Sequence, residues 1–215
     1  MVEIERYEVG HLRTNCYIIK DKDTSKMAII DPGYKSYNVE SIINQNIDNI
    51  EYILLTHGHF DHVLKADEYR KLTGAKIVIG EYEDEFTRNS ELNLSSTLTR
   101  ELGIDFSADI LIKDGNSIDL GNTQIKAIHT PGHTKGGVCY IIDNNIFSGD
   151  TLMKGTVGRT DFVTGSMSDM ENSLKKIASI NGDFNIYPGH GENTTLEYEK
   201  NTNVYLGKYN YDNLY

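Results

Sequence analysis

The segment Thr56-His57-Gly58-His59-Phe60-Asp61-His62 constrains this chain more than any other, because it sets four ligand-grade side chains within six residues. The apolar run before it, residues 50–55, reads as a buried strand, and the apolar periodicity from His62 onward reads as a helix. The segment therefore occupies a strand-to-helix loop, and Gly58 leaves that loop unencumbered. Imidazole and carboxylate together suit zinc, iron or manganese rather than calcium or magnesium. One loop cannot surround an ion, so the remaining ligands have to come from elsewhere.

The chain supplies them at other strand ends. Its three prolines all precede glycine, in Asp31-Pro32-Gly33, Thr130-Pro131-Gly132 and Tyr187-Pro188-Gly189, and each pair follows a strand-like run. Pro presets its φ and Gly accepts a positive one, so Pro-Gly marks a tight, rigid turn. Two of the turns run straight into histidines, His133 and His190, and a third apolar run stops at Gly149-Asp150. The total is five histidines (His57, His59, His62, His133, His190) and two aspartates (Asp61, Asp150). Seven donors exceed the needs of one ion and suit two that share a bridging carboxylate, as in dinuclear hydrolases whose metals lie about 3.5–4 Å apart. His129 sits four residues before His133, but Thr130-Pro131-Gly132 breaks any helix between them. His129 and His11 read as structural residues.

Around these points the chain alternates short strands with helices. Strands are expected near 2–9, 15–20, 27–31, 51–56 and 76–80, then near 109–113, 117–120, 123–129, 137–143, 145–149 and 184–188. Helices are expected near 37–47, 62–73, 81–88, 91–102, 168–180 and 193–206. Clusters of strands punctuated by helices point to α/β sheet layers covered by helices, and 215 residues fit one domain over 1–215. A formal charge of −11 argues against a nucleic-acid surface, which needs clustered Lys and Arg. It leaves a small-molecule substrate open, since bound cations reverse the local field. No apolar run is long enough to span a bilayer, so no membrane association is expected. Cys16 and Cys139 read as buried thiols, and the N-terminus carries no apolar signal core, so a cytoplasmic location is expected. Neither a Gly-x-Ser-x-Gly elbow nor a Walker loop is present.

Thr56 to His62 resembles the His-x-His-x-Asp-His signature of the metallo-β-lactamase superfamily. The segments His129-Thr130-Pro131-Gly132-His133-Thr134, Ser148-Gly149-Asp150-Thr151-Leu152 and Tyr187-Pro188-Gly189-His190-Gly191 resemble its remaining ligand motifs, in the same order. The resemblance covers nearly the whole chain and implies a four-layer αββα sandwich with metals at one edge between the sheets. It puts His57, His59 and His133 on a first metal, and Asp61, His62 and His190 on a second. Asp150 then bridges them, and Asp31 orients the site from behind. The implied cofactors are two divalent metal ions, zinc first, with iron or manganese as alternatives.

Within the superfamily the chain looks like the glyoxalase II (hydroxyacylglutathione hydrolase) group and its short relatives. Asp150 favours these over true β-lactamases, and His59 argues against the flavodiiron branch. About 25 residues follow His190, so the glutathione-gripping C-terminal helical domain is expected to be missing. Arg159 falls where glyoxalase II has a basic residue that contacts substrate, and Asp161 replaces an aromatic one. Arg159 reads equally as a substrate contact and as the partner of Asp161 in an ion pair.

The function implied is thioester or ester hydrolysis by a metal-bridging hydroxide. A thiol leaving group with a pKa near ~8.5 departs without a strong acid, and Asp61 is the residue placed to receive the water's proton. A mononuclear iron persulfide dioxygenase, a lactonase or nuclease of the same superfamily and a purely structural metal site are the alternatives. Metal count and oxygen uptake separate the first of these from hydrolysis. The polar stretch 81–109 reads first as a solvated surface helix and second as a flank of the pocket. The tyrosine-rich tail (Tyr205, Tyr209, Tyr211, Tyr215) reads as packing, oligomer contact or disorder, and oligomeric state stays open.

Overall fold

A computed structural model of the chain describes residues 1–97 and 103–207. Its first sheet takes β1 (Val2–Val9), β2 (Thr14–Asp21), β3 (Met27–Ile30), β4 (Ile50–Leu54), β5 (Lys76–Gly80) and β6 (Ile110–Ile112) in that spatial order. β1, β2 and β3 pair antiparallel, and β3 through β6 pair parallel. The chain continues through β7 (Ser117–Leu120), β8 (Thr123–His129), β9 (Val138–Ile142) and β10 (Asn145–Gly149), then a ribbon of β11 (Leu152–Met153) and β12 (Thr156–Val157). With β13 (Asn185–Pro188) and β14 (Thr194–Thr195) these make a second sheet in the order β14-β13-β10-β9-β8-β7, parallel only between β10 and β13.

The central strands are apolar on both faces because both faces are covered. Ile18, Ile29, Ile53 and Ile77 face outward and pack with Val39 and Ile43 of α1 (Tyr37–Gln45). α2 (Phe60–Val63) and α3 (Ala66–Thr73) add Val63, Ala66 and Tyr69 to the same layer. The alternate residues of those strands, among them Tyr17, Ile30, Leu54 and Val78, meet Ile125, Tyr140 and Phe147 of the second sheet. On the far side Cys139, Ile146 and Ile186 pack under Met170, Leu174 and Ile177, which recur at helical spacing along α4 (Met167–Ala178). α5 (Leu196–Thr202) and α6 (Val204–Gly207) close that layer with Leu196 and Leu206. Three apolar interfaces between four layers give the αββα sandwich. Each fully buried Ile or Leu contributes about 1.5–3 kcal/mol to that packing.

Every expected strand forms; the short β11–β12 ribbon is not among those expected, and the other differences fall in the helices. The expected helix over 62–73 is two helices, α2 and α3, broken at Leu64-Lys65. Of the region expected as 193–206, Thr194–Thr195 pairs as β14 and only the remainder is helical. The stretch 81–97 holds no α-helix, only short 3-10 turns at Asp84–Arg88 and Ser95–Thr97. Asn89 and Asn93 accept from the amides of Glu91 and Ser95, two residues on, and such local bonds compete with helix formation. Nor is this a solvated face, since Glu83, Phe86, Thr87 and Asn93 are all buried. Residues 98–102 of the expected second helix lie outside the described residues, as do Tyr209, Tyr211 and Tyr215 of the tail; Tyr205 packs on the α4 layer. Among the described residues no helix is long and apolar enough to cross a membrane.

Candidate metal centre

Six strands bring polar side chains to one edge of the sandwich, the edge where the parallel strands end. β3 ends into Asp31, β4 into Thr56 and His57, and β5 into the turn that carries Glu83. In the second sheet β8 leads through Thr130-Pro131-Gly132 to His133, β10 ends into Asp150, and β13 leads through Gly189 to His190. Ligand crevices of α/β sheets lie outside the carboxyl ends of the strands. The two sheets are stitched there by backbone bonds, Val138 N–H to the Thr56 carbonyl (2.8 Å) and Asn15 N–H to that of Gly189 (2.7 Å). A Cβ on Gly189 would lie 2.2 Å from Asp150 Oδ1 and 2.8 Å from His62, so only glycine lets the last turn pass this close.

The seven side chains singled out from sequence all converge here. His57, His59 and His133 bring one donor atom each within 4.8 Å of one another, and so do Asp61, His62 and His190. Asp150 sits between the trios: its Oδ2 is 3.4 Å from His133 Nε2 and 3.6 Å from His190 Nε2, and its Oδ1 is 3.7 Å from His62 Nε2. His59 Nδ1 and His133 Nε2 face each other at 2.9 Å, as do the Nε2 atoms of His62 and His190 at 3.3 Å.

The outward nitrogens have partners. His57 Nδ1 lies 3.1 Å from Thr56 Oγ1, His62 Nδ1 2.9 Å from Asp31 Oδ2, His133 Nδ1 2.7 Å from the Arg159 carbonyl and His190 Nδ1 3.1 Å from the Leu12 carbonyl. Such outer bonds fix the ring and leave the opposite nitrogen to face an ion. Two inward atoms, His57 Nε2 and Asp150 Oδ1, are buried with no hydrogen-bond partner. Buried polar atoms are rarely left so, and a divalent cation satisfies both. The donor set, nitrogen-rich with carboxylates and without thiolates, fits zinc, iron or manganese.

The electrostatics agree. Burial, helped by the neighbouring imidazoles, holds His57 well below its ordinary pKa and lowers His59 to about 3, so both present lone pairs. Burial alone would lower His62 too, but Asp61, Asp31 and Asp150 outweigh it and raise that ring to about 10. Burial raises the Asp61 carboxyl, yet His62 and His190 hold it far below the usual carboxylate range. Carboxylates that crowd an imidazole in this way will exchange its proton for a metal.

Asp31 sits just past β3 at φ +49, where its Oδ1 accepts from Thr56 N–H (2.8 Å) and its Oδ2 from Thr56 Oγ1 (2.7 Å) as well as facing His62. Three groups at the site are not legible as ligand motifs. Thr14 donates to Asp61 Oδ2 (2.9 Å), and Asn15 donates to the carbonyls of Pro188 and Gly191 (both 2.9 Å). Glu83 is fully buried and accepts from Gly58 N–H (2.7 Å) and Gly136 N–H (2.8 Å), tying the first histidine loop to the one that follows His133. The signal for Thr14 and Asn15 is two polar residues at the head of an apolar strand; Glu83 has none in a sequence rich in surface acids. His11 is exposed, and His129 stands apart from the cluster, its ring tilted against Tyr82 with centroids 5.4 Å apart.

A cleft of about 630 Å³ opens over the cluster between Leu12, Leu94, Met153, Val157 and Phe162, with Arg159 on its wall. Arg159 makes the ion pair that the sequence allows, gripping Asp161 through two bonds, Nε–Oδ1 at 2.9 Å and Nη2–Oδ2 at 2.8 Å, and it also lines the cleft.

The sequence pattern of the Metallo-beta-lactamase superfamily matches residues 9–190. The hydroxyacylglutathione hydrolase GloC of Haemophilus influenzae is 32% identical over 214 residues, covering 95% of this chain and 98% of its own. The BLEG-1 B3 metallo-beta-lactamase structure superposes with a TM-score of 0.88 at 30% identity, over 95% of this chain and 99% of that one. The structure of TTHA1623 in a di-iron-bound form superposes with a TM-score of 0.80 at 25% identity, over 94% and 100%. With its strand-end donors in place and the family pattern running from β1 to the last ligand turn, the chain belongs to the metallo-β-lactamase superfamily, among relatives that include a hydroxyacylglutathione hydrolase.

Proposed function

We propose that this chain is a two-metal thioester hydrolase. His57, His59 and His133 would hold one divalent ion and Asp61, His62 and His190 the other, with Asp150 between the two sets; zinc suits these donors best. When bound, such ions acidify a water from a pKa of 15.7 to roughly 7 and polarise an acyl oxygen. Asp61, whose Oδ2 accepts from Thr14, would be the carboxylate that takes a proton from water in the cleft. Phe162, in edge contact with His59 (5.2 Å) and His133 (5.6 Å), shields that side of the cluster from bulk water.

One observation carries the choice of thioesters. Apart from the cluster itself, Arg159 is the sole ionisable side chain among the described residues that line the cleft, so none of the described residues there is a separate general acid for a leaving group. A thiol with a pKa near ~8.5 leaves as thiolate unaided, whereas an alkoxide or amine needs a proton. The test is anaerobic hydrolysis of a simple thioester and of a lactone by protein of known metal content, with a glutathione persulfide assayed in parallel in air-saturated buffer. Thiol release without oxygen supports the reading; oxygen uptake on the persulfide by a one-iron protein replaces it with the dioxygenase.

A further inference from the structure

From the walls of the cleft we infer that the substrate is an uncharged aliphatic acyl thioester rather than a glutathione thioester; this rests on the thioester reading and narrows it. The cleft has a polar floor, the His/Asp cluster, and apolar walls made by Leu12, Leu94, Met153, Val157 and Phe162. These walls come from separate parts of the chain: the β1–β2 turn, the 81–97 stretch, the β11–β12 ribbon and the loop before α4. Convergence of apolar side chains from four places on one opening is the pattern of a pocket for an apolar arm, with the polar groups placed only where bonds change.

Charge points the same way. Glutathione carries carboxylates, and each needs a cation to replace the water it gives up on binding. Arg159 is the one cation on the described walls, and it comes with its own counter-ion. Asp161 occupies the Nε–Nη2 edge of the guanidinium, one of the two that a carboxylate would use, and the Phe162 ring covers its face at 4.6 Å. An anionic arm arriving there meets Asp161 as well as a protein of charge −11. An alkyl chain meets none of this, and each methylene it buries adds to affinity. Full burial gives about fourfold per methylene (about 0.8 kcal/mol), and an open cleft about two- to fourfold.

The experiment uses the metal-loaded full chain and straight-chain S-acyl-N-acetylcysteamines from acetyl to octanoyl, set against S-lactoylglutathione. The expected result is kcat/KM rising about two- to fourfold per methylene to at least hexanoyl, chiefly through KM, and exceeding that for the glutathione substrate. Calorimetric binding of the matching S-alkyl thioethers, which cannot be hydrolysed, should show the same dependence on chain length. Met153→Ala and Val157→Ala should lower kcat/KM for octanoyl more than for acetyl. Asp161→Ala, by freeing Arg159, should raise turnover of S-lactoylglutathione relative to the acyl series. A flat dependence on chain length, or S-lactoylglutathione preferred by the wild type, overturns this inference and leaves the thioester reading standing. No turnover of any thioester by the two-metal protein overturns the thioester reading itself.

Discussion

Asp31 shows how one side chain can fix a whole centre. It lies beyond its strand in left-handed backbone, and its two oxygens take the Thr56 amide, the Thr56 hydroxyl and His62. Asparagine tolerates the same backbone, so Asp31→Asn tests charge and acceptor count without adding strain. Metal affinity should fall about 10–100-fold, read by competition with a chromophoric chelator, while the circular dichroism spectrum holds. Glu83 makes a second residue-scale case. Burial pushes its carboxyl up to about 7, against the lowering effect of the amides of Gly58 and Gly136 that bond to it. A raised folded-state value means that protonation favours the fold. The stabilisation is fully present below the ordinary value near 4.5 and is lost as pH climbs to about 7. In metal-free protein, urea unfolding should therefore show wild type losing on the order of 2–3 kcal/mol across that window relative to Glu83→Gln, which cannot ionise. Equal pH slopes for the two proteins would contradict it. Glu83 also marks the limit of sequence reading. His57 and His133 stand out because histidine is scarce and the turns before them are rigid, while a lone glutamate among many surface acids carries no mark until the fold buries it.

At the scale of elements, the strands were legible and part of the helical structure was not. β2 and β9 carry unbroken apolar runs (Cys16 to Ile19 and Val138 to Ile142) because each is covered on both faces, and that pattern survives without tertiary information. The stretch 81–97 misleads because its charge and helix-forming residues are real, but Asn89 and Asn93 bond locally and Phe86 turns inward. What decides its shape is the wall it makes beside Gly58, where a Cβ would lie 2.2 Å from Phe86. α4 is the opposite case, with Met170, Leu174 and Ile177 on one stripe and Ser166 capping Asp169 N–H. Leu174→Ala should cost about 2–5 kcal/mol in denaturant unfolding and leave metal content unchanged, because α4 supports the second sheet from the side away from the first.

For the whole molecule, the centre is also a clamp. The Thr56 loop belongs to the first sheet and the turns of His133, Asp150 and His190 to the second, so metal bound by donors from both would tie the two halves together. Chelation removes that link and returns His57 Nε2 and Asp150 Oδ1 to burial without partners. At metal concentrations 100-fold above Kd each ion stabilises by about 2.7 kcal/mol, so removing both by chelation should drop the melting temperature by roughly 10–20 °C, with recovery on adding zinc. An unchanged melting temperature would mean that the sheets hold without them. The seven donors could be foreseen because they cluster just past strand stops in the chain, and the four-layer fold through the family resemblance that those motifs carry. The apolar walls of the cleft could not, since Leu12, Leu94, Met153 and Phe162 look like ordinary loop residues until four segments meet.

The most direct measurement is native mass spectrometry of the folded chain during titration with zinc. Two ions per chain for wild type, and one for His57→Ala or His190→Ala with the fold retained, is the predicted result. A wild-type chain that saturates at one ion, or takes up none, contradicts a centre built from seven side chains between residues 57 and 190.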